Sequence, residues 1–384
     1  MRAFVIAEAG ANHNRDWGMA TKLIDAAVKA KADAVKFQTY SSETLYAKNT
    51  PDFAGYKNIN KLIKDIELPR HWQKDLKKYC DDCGIEFMST PFDEKAVDEL
   101  YDLGVSRFKI AGFESTDPRF VKYVSSSGLP LIISLGIGSN IETVNDIHYA
   151  ILRDRKIDLC EVELQSDSFF EKFYKENCPI RIGELNKTMP DITYLHCNNA
   201  YPTPYEDINL GSLEELKNFI EFNRHFCNSR VGLSDHTEGI LIPPIAVAMG
   251  AKVIEKHFTL DRGLSGPDHS FAIEPDELSE MVKNIRVAEK AMGTKESKYT
   301  NSERNFKSAT RSVVSIRKIK AGEFLTEENV STKRPFSKGN VPAADFFNVL
   351  GRSSLVDVDP DTPLKSNCVM EELNEAYLQD RHGY

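Results

Sequence analysis

No run of apolar residues in this 384-residue chain approaches 18, so a membrane-crossing helix is not expected. No basic cluster rises above the surface background, and the formal net charge is -9, which argues against a nucleic-acid partner. Residues 1–10 lack the basic start and long apolar core of a secretory signal, so the expected compartment is the cytoplasm. Seven cysteines, an odd number spread through a large chain, do not make a disulfide framework. Cys80 and Cys83 have C-x-x-C spacing, but no second pair completes a zinc or redox site. Also missing is a G-x-G-x-x-G turn: the first apolar segment ends in Glu8-Ala-Gly-Ala-Asn-His13, which removes the main support for a dinucleotide fold.

What is present is a repeating strand–helix pattern. Apolar segments begin near residues 3, 34, 86, 107, 131, 194, 231 and 253, separated by helical periodicities, and end in polar loops. Eight such units in about 290 residues predict a closed (β/α)8 TIM barrel over 1–292, an α/β fold. Residues 40–68 form a longer polar and aromatic excursion, and 153–191 are an atypical insertion too long for one crossover. An amphipathic helix over Pro275–Met292, with Asp276 and Glu277 in its first turn, ends the barrel. Residues 293–310 have linker composition. From 311 to 384, short β segments at Ser312–Ile316, Lys333–Pro335 and Ser353–Val358 predict a small β-rich domain and tail.

Barrel chemistry sits where the strands end. The seventh and eighth segments end in His236 and His257, two imidazoles a β/α scaffold can aim at one point; such histidines are either backbone caps or ligands of a divalent ion. Lys36 and Lys109 lie within otherwise apolar strands, where a lysine costs desolvation unless an anion meets it. With donors from Ser134, Ser234 and Asn199, they would suit a phosphate and a carboxylate. A small anionic molecule beside a divalent ion fits this set, and several reaction classes satisfy that description.

These residues fall in motifs that resemble the sialic acid (nonulosonic acid) synthase family: Phe4–His13, Ala32–Gln38, Met88–Asp93, Phe108–Ile110, Tyr201–Pro204, Gly232–His236, Glu255–Thr259 and Gly266–Ser270, in that order. Residues 311–370 resemble that family's antifreeze-like (SAF) domain. The resemblance implies condensation of phosphoenolpyruvate with an N-acylated mannosamine-type sugar, releasing phosphate by C–O cleavage. Carbon 3 of phosphoenolpyruvate attacks the aldehyde C1 of the open sugar, and water then adds at C2. By the same resemblance His236 and His257 hold Mn²⁺, or Mg²⁺ as substitute. Lys36, Lys109, Asn199, Ser234 and Ser134 contact phosphoenolpyruvate. Gln38, Thr90, Phe92, Glu114, Tyr201 and Asp268 line the substrates, and Glu8 or Glu114 handles the proton.

The SAF domain is expected to cover the site of the partner in a domain-swapped homodimer, with Arg334 as the arginine on the N-acyl group and Arg311 as the competitor. N-acetylmannosamine is the first expectation for the acceptor. Its 6-phosphate and the 2,4-diacetamido-trideoxy sugars leading to legionaminic or pseudaminic acid are the alternatives. A pyruvate aldolase with a Schiff-base lysine, or a sugar-binding protein without catalysis, are the competing classes. Two departures stand out: Gly112 replaces a serine common in relatives, so a phosphate contact is expected to be lost or supplied elsewhere, and Leu135-Gly-Ile-Gly138 replaces the usual run after Ser134.

Overall fold

A computed structural model describes residues 2–52, 57–154, 189–222, 228–294 and 300–371, with the side chains of 152–154 excepted. Nearly all of the expected insertion at 153–191, and the tail from 372, lie outside the described residues. The chain divides into two compact units, Met1–Gly293 and Thr294–Tyr384.

In the first unit the eight apolar segments are eight parallel strands: β1 (Phe4–Gly10), β2 (Ala34–Thr39), β3 (Glu86–Pro91), β4 (Phe108–Ile110), β5 (Leu131–Leu135), β6 (Ile192–Cys197), β7 (Ser229–Asp235) and β8 (Val253–His257). Their ladder order is β3-β2-β1-β8-β7-β6-β5-β4. Strands β3 and β4 pack side by side without a ladder, so the barrel is nearly closed. Outside it run α1 (Trp17–Lys29), α2 (Ile59–Ile66), α3 (Gln73–Cys83), α4 (Glu94–Asp102), α5 (Pro118–Ser125), α6 (Ile141–Asp154), α7 (Leu210–Phe222), α8 (Ile242–Met249) and α9 (Pro275–Ala291). Their starts are written in the sequence: the carboxylates of Asp16, Asp93 and Asp117 accept from backbone N–H groups of α1, α4 and α5, and Glu274 with Glu277 makes a capping box on α9.

Strand alternation sorts the side chains. Outward residues such as Val5, Val35, Ile133, Tyr194 and Ile254 join the helices in the main core. Inward residues Ile6, Ala34, Met88, Ile132, Leu195 and Val253 fill the barrel's lower interior. Gly232 belongs there because a Cβ would come within 2.5 Å of Leu195 Cδ2 and of the Val253 carbonyl. Two residues further along β1, β2, β3, β5, β7 and β8 the inward positions turn polar, giving Glu8, Lys36, Thr90, Ser134, Ser234 and Glu255. That single step of the pleat converts a packed core into a site.

The second unit holds an antiparallel pair, β9 (Ser312–Ser315) and β10 (Val330–Lys333), around a small core that includes Val313, Ile319, Leu325, Val330 and Val358. The expected strand at Ser353–Val358 is instead a series of isolated bridges, Ser353 to Phe324, Ser354 to Val369 and Val358 to Ile319. Part of the expected linker, Arg304–Ala309, is a 3₁₀ helix. Among the described residues, no helix is long and apolar enough to cross a membrane.

Candidate active site

A cavity of about 440 Å³ opens at the carboxyl ends of the barrel strands. Among its lining residues are Glu8, Lys36, Gln38, Thr90, Phe92, Lys109, Glu114, Ser134, Asn199, Tyr201, Ser234, His236, His257 and Asp268. The barrel thus brings fourteen of the sixteen sequence-predicted site residues to one wall or floor. The two others, Arg311 and Arg334, are exposed in the second unit; Arg311 donates to the Thr332 carbonyl at 3.3 Å.

Its floor is a buried charge network. The Lys36 ammonium lies 2.8 Å from Glu8 and 3.5 Å from Glu255, and donates to the Thr90 hydroxyl at 2.8 Å. Lys109 meets the other oxygen of Glu255 at 3.4 Å, and Ser234 donates to that oxygen at 2.9 Å. Gln38 donates to Glu8 at 2.8 Å. Burial would lift the Glu255 carboxyl, but Lys109 and Lys36 reverse this and hold it well below the usual range. Glu8 goes the other way: burial raises it despite Lys36. Lys109 is drawn below the ordinary lysine range by burial, which Glu255 only partly offsets. Such a floor, with the Ser134 hydroxyl buried and unpaired, is prepared for an incoming anion.

Glu255, at the end of the eighth segment in the Glu255–Thr259 motif, had no role assigned from the sequence, yet it sits at the centre of this network. Its signal was its position two residues before His257, which puts both on the inward face of β8. Gly112 and Gly136 are explained by Asn199. A Cβ at Gly136 would fall 1.6 Å from Asn199 Oδ1, and one at Gly112 would lie 3.0 Å from it. The side-chain amide of Asn199 therefore occupies the space beside Gly112 where a serine was expected. The amide is itself a polar donor on the cavity wall, so the loss of that serine is not a bare gap.

Above the floor, the rings of His236 and His257 stand 5.4 Å apart, with Tyr201 at 4.2 Å from His236. Burial lowers His236 to about 4 and carries His257 well below its usual value, so both are neutral near pH 7. The His236 Nδ1 bonds to the Asn198 carbonyl at 2.6 Å and, as the donor there, leaves Nε2 with a free lone pair. His257 Nδ1 is buried without a hydrogen bond, 3.7 Å from Asp268 Oδ2. An orphaned ring nitrogen beside a second neutral imidazole fits a divalent ion of the Mn²⁺ or Mg²⁺ kind. No group of three or more His, Cys, Asp or Glu ligands is assembled among the described residues, so such an ion would draw its remaining ligands from water or substrate.

Two carboxyl groups complete the wall. Burial raises Glu114 to about 7 and leaves its Oε2 unpaired, and raises Asp268 to about 6. Both therefore sit where they can hold or release a proton near neutrality. Lys256 points away from the cavity, pairs with Asp235 at 2.7 Å and donates to the Thr237 carbonyl, a structural pair.

Comparison with known proteins agrees with this geometry. Residues 23–297 match the NeuB family profile and residues 310–370 the SAF domain profile. The chain is 34% identical over 373 residues to N,N'-diacetyllegionaminic acid synthase of Legionella pneumophila, covering 95% of this chain and 94% of that one. It is 33% identical over 375 residues to pseudaminic acid synthase of Campylobacter jejuni, covering 95% and 96%. The crystal structure of N-acetylneuraminic acid synthetase from Leptospira borgpetersenii superposes with a TM-score of 0.63 at 29% identity, covering 80% of this chain and 90% of that chain. The family profile spans most of the barrel and the relatives almost the whole chain; the chain belongs to the NeuB family of phosphoenolpyruvate-dependent, carbon–carbon bond-forming synthases of sialic-acid-type sugars.

Proposed function

We propose that this enzyme condenses phosphoenolpyruvate with a 2,4-diacetamido-2,4,6-trideoxyhexose, giving a diacetamido nonulosonic acid of the legionaminic or pseudaminic type and phosphate. The observation that carries the reading is the identity of 33–34% over nearly full length to synthases named for those two acids. This supports the diacetamido acceptors over N-acetylmannosamine, the first expectation from sequence.

In this reading Lys36 and Lys109 hold the phosphate and carboxylate of phosphoenolpyruvate, with Thr90, Ser134, Ser234 and Asn199 as hydrogen-bonding partners. Glu255 keeps the two lysines apart and charged until the anion arrives. Glu114, protonated below about pH 7, delivers a proton to the aldehyde oxygen as C3 of phosphoenolpyruvate bonds to C1 of the sugar. Glu8, beside Lys36 and Gln38, takes a proton from the water that adds at C2, after which the C–O bond to phosphate breaks. His236 and His257 would hold Mn²⁺ or Mg²⁺, which supplies Lewis-acid polarisation of the aldehyde. Arg334 of one subunit serves the N-acyl group in the site of its partner within a homodimer, and Arg311 stays with its Thr332 contact.

An acceptor screen with phosphoenolpyruvate and Mn²⁺ tests the acceptor, with products identified by mass and their stereochemistry by NMR. Turnover of the diacetamido sugars well above N-acetylmannosamine is expected; preference for N-acetylmannosamine or its 6-phosphate overturns it. Mixing Arg334→Ala subunits with Lys109→Met subunits tests the shared site. Activity returns in the mixture if sites are shared, and stays absent if they are not.

A further inference from the structure

The cavity has one wall that the chemistry above does not use. Helix α2 places Ile59, Leu62, Ile63 and Ile66 at i, i+3, i+4 and i+7, one apolar face, and all four line the cavity with Leu45 and Tyr46. Its charged residues Lys61, Lys64 and Asp65 are exposed on the opposite side, Lys61 pairing with Asp65 at 2.6 Å. The wall is built rather than incidental. Asn58 caps the helix, Arg15 donates to the Lys64 carbonyl at 2.6 Å, and Ile59 and Ile63 pack on Tyr40. Among the described lining residues the lysines are Lys36 and Lys109, both on the floor, and there is no arginine. The adjoining outer cleft carries Arg70, Lys95 and Arg119: Asp93 at 2.6 Å and Glu99 at 3.0 Å hold Arg70, Glu99 lies 3.8 Å from Lys95, and Asp117 lies 3.9 Å from Arg119.

The sugar's reacting carbon must reach the floor, which leaves its far end to the cavity walls. We propose that the apolar face of α2 is the specificity device for that end, selecting acceptors whose C6 is a methyl over those bearing a C6 hydroxyl or phosphate. A methyl exchanges water for isoleucine and leucine carbons. A hydroxyl there gives up its water hydrogen bonds to an apolar surface, and a phosphate brings charge beside Glu114 and Asp268 against a wall that turns no cation toward it. The inference rests on reading the cavity as the phosphoenolpyruvate and sugar site, and it is independent of what the sugar carries at C4.

The test uses the full-length enzyme with four acceptors: N-acetylmannosamine, its 6-deoxy analogue, the 2,4-diacetamido-trideoxy sugar and its 6-hydroxy counterpart. The 6-deoxy member of each pair is expected to have kcat/KM about 10- to 100-fold higher. Leu62→Thr should lower that ratio about tenfold, while Leu62→Met keeps it. A ratio of two substrates on one preparation is unaffected by any fraction that fails to fold. A wild-type ratio near one in both pairs, or an unchanged ratio in Leu62→Thr, overturns the proposal. A preference for the C4-hydroxy sugars with the C6 ratio intact overturns only the acceptor reading given above.

Discussion

Replacing Glu255 by glutamine removes the carboxylate that Lys36 and Lys109 share while keeping its shape. Lys36 retains Glu8 at 2.8 Å, so the charge left uncompensated is chiefly that of Lys109, which is 3% exposed. Breaking a buried pair from one side costs about 3–5 kcal/mol. Lys109 is already drawn below its usual range, so it can shed its proton in the variant, which brings the loss toward the lower end. For a unit of this size each kcal/mol moves the melting temperature by about 2 °C, so a fall of about 6 °C is expected without ligand. Phosphoenolpyruvate then supplies the missing negative charge. At about 100 times its Kd a ligand adds about 2.7 kcal/mol, and its Kd should be lower in Glu255→Gln than in the wild type. Differential scanning fluorimetry across a phosphoenolpyruvate titration measures both effects. A variant that melts within about 1 °C of wild type, or gains no more than wild type from phosphoenolpyruvate, refutes the account of the floor.

The Glu114 carboxyl, raised to about 7, is protonated below that pH, and in the proposed mechanism the protonated form donates, so kcat should fall as pH rises through about 7. In Glu114→Gln the alkaline fall should vanish along with about 100-fold of kcat; an unchanged pH profile contradicts the assignment. Gly136→Ala drives a Cβ into Asn199 and should raise the KM for phosphoenolpyruvate about tenfold through displacement of that amide, a loss of ~1.4 kcal/mol. An unaltered KM shows that Asn199 does not touch this substrate. His236→Ala should abolish condensation and weaken Mn²⁺ binding by calorimetry while the far-ultraviolet circular dichroism stays that of a folded barrel; retained turnover with full metal dependence would show that another group is the ligand.

The eight strands were legible because each is a short apolar run ending in polar residues, and the helix starts because aspartate caps announce them. The inward lysines could be read as anion-seeking for the same reason: charge inside an apolar strand has few explanations. Glu255 was harder. A carboxylate beside a lysine in Glu255-Lys256-His257 looks like a local pair, whereas the pleat sends Lys256 outward to Asp235 and Glu255 inward to two lysines from β2 and β4. That partnership joins residues more than 140 positions apart, and no local pattern carries it. Helix α2 was overlooked for a different reason. Its Ile59, Leu62, Ile63 and Ile66 spacing is plain, but the polar and aromatic residues around it made 40–68 read as an excursion without a helix. At Gly112 the sequence left open whether the serine's contact is lost or supplied elsewhere, because the residue that fills its space, Asn199, comes from another strand's end.

The proposed reaction is a phosphoenolpyruvate-dependent condensation at the mouth of this barrel with a 2,4-diacetamido-trideoxy sugar. Its most direct measurement is phosphate release from phosphoenolpyruvate with that sugar, using phosphoenolpyruvate labelled with ¹⁸O in the bridging C–O position, followed by mass spectrometry of both products. The account predicts a diacetamido nine-carbon acid formed one for one with phosphate that carries the label, since the C–O bond is the one broken. Phosphate without the label, or label-bearing phosphate with no sugar-derived acid, contradicts it.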